Sequence, residues 1–166
     1  MGKMNPVALL HASSGAAALV VSPFTETALL ASSKLIKAMG VAVFAGGMLL
    51  FIVCVIHLKR AFLGDVEPAT DRLIATGPYR WVRHPLYLSM FLATFGLAIA
   101  LRSLWGLVII LCVFMPAGLW RARLEEQALA RRFGQEWEDY VAGTYFMLPL
   151  AYGARRGHGA EHQRRR

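Results

Sequence analysis

Four long stretches of the chain carry no charge. No Asp, Glu, Lys or Arg lies between Lys3 and Glu26, between Lys37 and Lys59, between Arg83 and Arg102, or between Arg102 and Arg121. A helix that crosses the hydrocarbon core needs about 20 mostly apolar residues. The gaps therefore predict spans near residues 6–24, 38–58, 86–101 and 104–120. Buried helices of a soluble bundle are the competing reading, but such helices keep a polar face. Ala38–Leu58 has no polar face. The expected fold class is all-α: a polytopic membrane protein with about four transmembrane helices, including a helical hairpin, and a C-terminal amphipathic helix on the cytoplasmic side.

The first stretch is the most polar of the four, with His11, Ser13, Ser14, Gly15, Ser22 and Pro23. Lys3 before an apolar run resembles a signal peptide, but no small-x-small cleavage site stands out. A retained first helix is the expectation. From His84 to Trp120 a straight helix would run roughly 55 Å at about 1.5 Å per residue, against a core of about 30 Å. The chain must turn back, and Arg102-Ser103 is the place. Pro116 should loosen the last span near its end. After that span, Leu129, Phe133, Trp137 and Tyr140 recur at helical spacing and predict an amphipathic helix over 121–142.

Composition sharpens this picture. The 166 residues are 57% hydrophobic and 17% charged, with a net charge of +8. A disordered basic chain would be far less apolar. A nucleic-acid binder would spread its basic residues over a solvated face, so no nucleic-acid partner is expected. Placing the Lys59–Arg83 loop in the cytoplasm puts both termini there as well. That side then holds Lys3, five basic residues of the loop and nine from Arg121 onward. The other side holds Lys34, Lys37 and Arg102. This is a positive-inside bias. Residues 1–152 read as one domain, and 153–166 as a disordered basic tail whose arginines either touch anionic headgroups or are simply solvated. The Ala- and Arg-rich composition points to a prokaryotic inner membrane. Cys54 and Cys112 sit inside apolar spans and read as packing residues. No metal site is expected. The sequence specifies no oligomeric state.

Polar chemistry gathers at the predicted cytoplasmic face. The loop ends Thr76-Gly77-Pro78-Tyr79-Arg80-Trp81-Val82-Arg83-His84-Pro85-Leu86-Tyr87. His84-Pro85 reads as a helix start, with proline pre-set for the first turn. Arg83 and His84 then stand at the positive end of a helix dipole, where unpaired N–H groups favour anions. The Arg83 guanidinium suits a carboxylate or phosphate. The plainer reading is that Arg80 and Arg83 meet lipid headgroups within an aromatic belt of Tyr79, Trp81 and Tyr87. A second cluster, Arg121 to Glu125-Glu126, follows the last span directly. Arg121 and Glu125 can form an ordinary i,i+4 pair worth about 0.3–0.5 kcal/mol. Alternatively the carboxylates bind a cationic or polyhydroxyl cofactor beneath the Arg83–His84 loop.

These residues resemble the signature of the isoprenylcysteine carboxyl methyltransferase family. The first half is Thr76-Gly77-Pro78-Tyr79-Arg80 with Arg83-His84-Pro85-Leu86-Tyr87. The second is Arg121, Glu125-Glu126, Phe133-Gly134, Trp137, Tyr140 and Pro149. The resemblance covers about Leu73–Leu150. It implies an integral membrane methyltransferase that uses S-adenosylmethionine and admits a lipid-like or amphiphilic substrate from the bilayer. By the same resemblance, Tyr79, Val82, His84, Pro85, Tyr87, Glu125 and Glu126 contact the cofactor. Arg83 and Arg121 hold the acceptor's carboxylate or the polar end of the cofactor. The acceptor implied is a carboxylate, with a phospholipid amine or a small thiol as alternatives. Trp137 stands where the family often has Tyr, and the segment after Tyr140 departs from the prenyl-enzyme ending.

Methyl transfer from a sulfonium is a direct displacement, so no activated Ser or Cys is needed, and none stands out. Two other classes compete. Membrane sterol reductases resemble the same Arg-His-Pro and Gly-x-x-Trp-x-x-Tyr pattern and use NADPH, but they are much longer. A non-enzymatic exporter or assembly factor is the third class. A cation exporter would need an intramembrane carboxylate, and the four stretches contain none.

Overall fold

The computed structural model describes residues 6–25, 34–58 and 73–147. The predicted basic tail, Pro149 and most of the Lys59–Arg83 loop lie outside the described residues. Helix α1 is Pro6–Val21, continued by a 3₁₀ turn at Ser22–Phe24. Helix α2 is Lys34–Leu58 and α3 is Pro85–Ala100. Helix α4 runs without interruption over Leu104–Phe133, and α5 is Gln135–Gly143. A 3₁₀ turn at Gly77–Arg80 precedes α3. Pro6–Phe24, Lys34–Leu58 and Leu104–Phe133 are long and apolar enough to cross a membrane, and α3 is a shorter apolar helix of 16 residues. Leu35, Met39, Leu49, Ile52 and Ile56 are exposed along α2, as expected of a surface solvated by lipid tails.

The main helix pair is α2 with α3, which touch far more extensively than any other pair. The two run antiparallel and approach through small residues. A Cβ on Gly47 would lie 2.5 Å from the Ala93 nitrogen, and one on Gly40 would lie 2.5 Å from the Ala100 nitrogen. A Cβ on Gly96 would strike the backbone nitrogen of Phe44. In lipid the hydrophobic effect does not drive helices together, so close backbone approach and dispersion must do so. Helix α1 packs instead along the first half and middle of α4, around a core of Ala18, Ala98, Ile110 and Phe114.

The predicted turn at Arg102-Ser103 is present. Arg102 adopts a positive φ of 56°, and the Ser103 hydroxyl caps α4 by accepting from the Gly106 N–H at 2.9 Å. The hairpin of α3 and α4 therefore forms, although the closest partner of α3 is α2. Pro116 acts on the turn before it. Ile110–Phe114 is a widened π turn in which the Met115 N–H donates to the Ile110 carbonyl. The proline removes one intrahelical donor and crowds the preceding turn, and an inserted residue relieves both effects. The predicted amphipathic stretch 121–142 is divided between α4 and α5 at Gly134, whose φ is 50° and ψ −120°.

Alternating helix directions put α1's end, α2's start and the Arg102-Ser103 turn at one pole. The Gly77–His84 loop, the polar half of α4 and α5 lie at the other.

Candidate functional site

The polar pole is organised by helix starts and one interruption. Pro85 opens α3, so Arg83 and His84 are held just before its first turn. Arg121, Glu125 and Glu126 leave the apolar part of α4 on consecutive turns and come under that loop. Gly134 then folds α5 back, and buried Trp137 anchors it. The Tyr140 hydroxyl donates to the Tyr79 carbonyl at 2.7 Å. Burial pushes the Tyr140 and Tyr79 hydroxyls well above the ordinary tyrosine range, so both stay protonated.

Two networks result. In the first, Arg83 Nε donates to Glu126 Oε1 at 2.7 Å, and His84 Nε2 donates to the same oxygen at 3.2 Å. His84 is buried, while the Arg83 and Glu126 side chains are 12% and 24% exposed. Burial works to raise the Glu126 carboxyl, but the hydrogen bonds and charges of His84 and Arg83 outweigh it and hold the group below the usual carboxylate range. In the second, Arg121 Nε donates to the Tyr87 hydroxyl at 3.0 Å, and that hydroxyl donates to Glu125 Oε2 at 3.0 Å. Tyr87 thus links a guanidinium to a carboxylate. Among the described residues Arg121 forms no ion pair within 4.0 Å.

Of the residues singled out from the sequence, Arg83, His84 and Glu126 come together, as do Tyr87, Arg121 and Glu125. Val82 and Pro85 contribute backbone and shape. Val82 is buried and its N–H donates to the Pro78 carbonyl at 3.2 Å, and Pro85 is fully buried. Tyr79 lies buried with its hydroxyl beside the Cys54 thiol and, among the described residues, without an oxygen or nitrogen partner.

The structure adds a strap that sequence reasoning missed. Residues 144–146 run beside the loop in a parallel bridge between Val82 and Tyr145. The Arg83 N–H donates to the Tyr145 carbonyl at 2.8 Å, and the His84 N–H to the Phe146 carbonyl at 3.1 Å. The strap therefore takes the N–H groups of the two residues just before α3, and these two are not open to an anion. Arg83 Nη1 also donates to the Thr144 carbonyl at 2.6 Å, and the Phe146 ring lies against both Arg83 and His84. Main-chain carbonyls accept whatever side chain they carry, so no residue pattern signalled these bonds.

A family comparison matches residues 35–136 to the phospholipid methyltransferases. The chain is similar to the protein-S-isoprenylcysteine O-methyltransferase of Rattus norvegicus, at 33% identity over 91 residues, covering 53% of this chain and 31% of that protein. It is similar to the enzyme of the same name from Saccharomyces cerevisiae, at 37% over 68 residues, covering 41% and 28%. It is also similar to the nickel-cobalt-cadmium resistance protein NccN of Alcaligenes xylosoxydans xylosoxydans, at 34% over 83 residues, covering 48% and 37%. The chain spans about a third of the length of these curated relatives. The matched region contains α2, the loop, the glycine interface and every ionisable group of both networks, and the chain belongs to the phospholipid methyltransferase family.

Proposed function

We propose that this protein transfers a methyl group from S-adenosylmethionine to an amphiphilic acceptor at the cytoplasmic face of a membrane. The observation that carries this reading is the joining of the Arg83–His84–Glu126 and Arg121–Tyr87–Glu125 networks at one pole of an apolar bundle. The donor set suits such a cofactor. Glu125 and Glu126 offer carboxylates to its ammonium and ribose hydroxyls, and the Tyr79 hydroxyl, met only by the Cys54 thiol among the described residues, offers a further polar contact. When bound, the cofactor supplies an electrophilic methyl on a cationic sulfonium.

The protein's own part is placement and exclusion of water. Glu126 has its Oε1 claimed by Arg83 and His84, which fixes the carboxylate's orientation. Arg83 also ties the 144–146 strap down over the pole, which limits access of solvent. Arg121, held only by Tyr87 among the described hydrogen bonds, keeps a guanidinium available to an anionic group. A carboxylate acceptor, with a pKa of about 4, is already ionised and needs no base. Opposite charges on donor and acceptor cancel as the transfer proceeds, so holding the two in line in a dry site supplies most of the rate. Both termini lie on the cytoplasmic side in this reading, and the acceptor arrives through the bilayer.

Calorimetry on detergent-solubilised protein tests it directly. S-adenosylhomocysteine should bind and stabilise, and NADPH should not. Stabilisation by NADPH alone would instead favour a reductase. Arg121→Ala and Glu126→Ala should each lower methyl transfer by about 100-fold or more, the scale of losing a positioned electrostatic contact.

A further inference from the structure

The first helix lies outside the matched family region, yet it places an unusual group beside the site. His11 is 5% exposed. Its ring stacks on Phe114 with centroids 4.3 Å apart, and its Nδ1 lies 3.3 Å from the Phe114 carbonyl. A carbonyl oxygen can only accept, so Nδ1 carries the proton. In the neutral ring, Nε2 is then a bare lone pair, able to accept but not to donate. Among the described residues no group meets it. An unsatisfied buried acceptor is costly and rare in native structures, and calls for a missing partner.

The surroundings indicate where that partner comes from. Gly118 lets the ring lie on α4, since a Cβ there would sit 2.9 Å from His11 Cε1. The Tyr87 ring is 5.6 Å away, and its hydroxyl holds Arg121. His11 therefore sits where α1, α3 and α4 meet, one ring away from Arg121: the Tyr87 ring beside it carries the hydroxyl that holds this guanidinium, which has no carboxylate partner among the described residues. Helix α1 meets α3 over fewer residues than it meets α4, so the α1–α3 seam is the thinner wall for a head group arriving from the bilayer.

We propose that His11 completes the acceptor subsite: its Nε2 accepts a hydrogen bond from an N–H of the acceptor's head group, while Arg121 pairs with the anion next to that N–H. The inference rests on the methyltransferase reading and narrows it. The head group carries an anion and an adjacent N–H donor, as in an N-acylated amino acid (carboxylate and amide) or an aminophospholipid (phosphate and ammonium). His11 makes no bond to the methyl: a carboxylate oxygen takes the methyl with no proton to lose and His11 only orients it, whereas an ammonium nitrogen first passes the N–H proton to Nε2 and then attacks with the lone pair so freed.

The test uses full-length protein in detergent micelles, with N-acetyl-S-farnesylcysteine and phosphatidylethanolamine as probes of the two head-group classes. His11→Phe keeps the stacked ring and removes both nitrogens. It should lower kcat/KM for the accepted probe about tenfold, mainly through KM, with S-adenosylhomocysteine affinity unchanged. His11→Gln carries its amide near the Nε2 position and should restore most of the loss, whereas His11→Asn mimics only Nδ1 and should not. An N-methylated N-acetyl-S-farnesylcysteine, which lacks the N–H, should be equally poor with wild type and His11→Phe. Rescue by Asn rather than Gln would mean that His11 merely caps Phe114, and would overturn the proposal. So would unchanged kinetics in His11→Phe, or a wild-type protein that binds S-adenosylhomocysteine and methylates neither probe. Failure to bind S-adenosylhomocysteine at all counts against the methyltransferase reading itself.

Discussion

The α2–α3 interface and the polar pole are held together by opposite means. Between α2 and α3 there is almost nothing to bond with. Gly40, Gly47 and Gly96 bring two backbones into contact, and the stabilisation is dispersion over a long seam. At the pole, Arg83, His84, Arg121, Glu125 and Glu126 and two tyrosines are joined by hydrogen bonds of 2.6–3.3 Å to one another and to main-chain carbonyls. The first region tolerates no added atom but is indifferent to charge and pH. The second can exchange partners, because each of its bonds has an alternative in water or in a ligand. A rigid seam beside an adaptable cluster is what a site that must bind, react and release requires.

The comparison can be broken at its stiffest point. Gly96→Leu drives a side chain into the Phe44 backbone, and overpacking of this kind costs about 1–3 kcal/mol or more. We expect the thermal midpoint in detergent to fall steeply and S-adenosylhomocysteine binding to go with it. Full retention of both would show that the helices are not pressed together as described.

Tyr87→Phe is aimed at the pole instead. It keeps the ring and deletes the hydroxyl between Arg121 and Glu125, so methyl transfer should drop about tenfold. The midpoint should move by less than that of Gly96→Leu. A larger loss of stability than of activity would place Tyr87 in the scaffold rather than in the site.

Acid separates the two regions without mutation. The Glu126 carboxyl is held below the ordinary glutamate value of 4.5 in the folded protein. Its contribution to stability is therefore complete above about 4.5 and is lost as pH falls through the lower folded value. The wild-type midpoint should decline in that acid range, and Glu126→Gln should lack that part of the decline. Parallel curves for the two proteins would remove Glu126 from the ledger.

The smallest effect is expected at the opposite pole. The Ser103 hydroxyl caps α4 and lies 2.6 Å from that of Thr25. Ser103→Ala should cost about 1 kcal/mol and leave S-adenosylhomocysteine affinity unchanged. A change in affinity would mean that the two poles are coupled along α4.

Local chemistry was readable from the residues alone. The charge gaps marked the helices because a run of apolar residues can satisfy its backbone in lipid only by coiling. Pro85 marked the start of α3, and Arg102-Ser103 the turn. The α2–α3 seam was not read from the sequence, where chain connection favoured α3 with α4 as the evident pair; Gly40, Gly47 and Gly96 acquire their meaning only once the two backbones meet. Trp137 and Tyr140 fell on a helical stripe, but the fold-back at Gly134 depends on one φ value that the spacing did not reveal.

What the sequence determined by itself was the set of apolar helices, the concentration of basic residues and aromatic side chains at one pole, and the motif that marks the family. Each of these is a property of neighbours along the chain. Tertiary structure decided which groups are already satisfied. Glu126 takes Arg83 and His84, the strap takes the Arg83 and His84 N–H groups just before α3, Arg121 is left to Tyr87, and His11 from the first helix comes beside the Tyr87 ring with an unshared lone pair. Such pairings join residues 34 to 103 positions apart, and only the packing of whole helices brings them within hydrogen-bond reach.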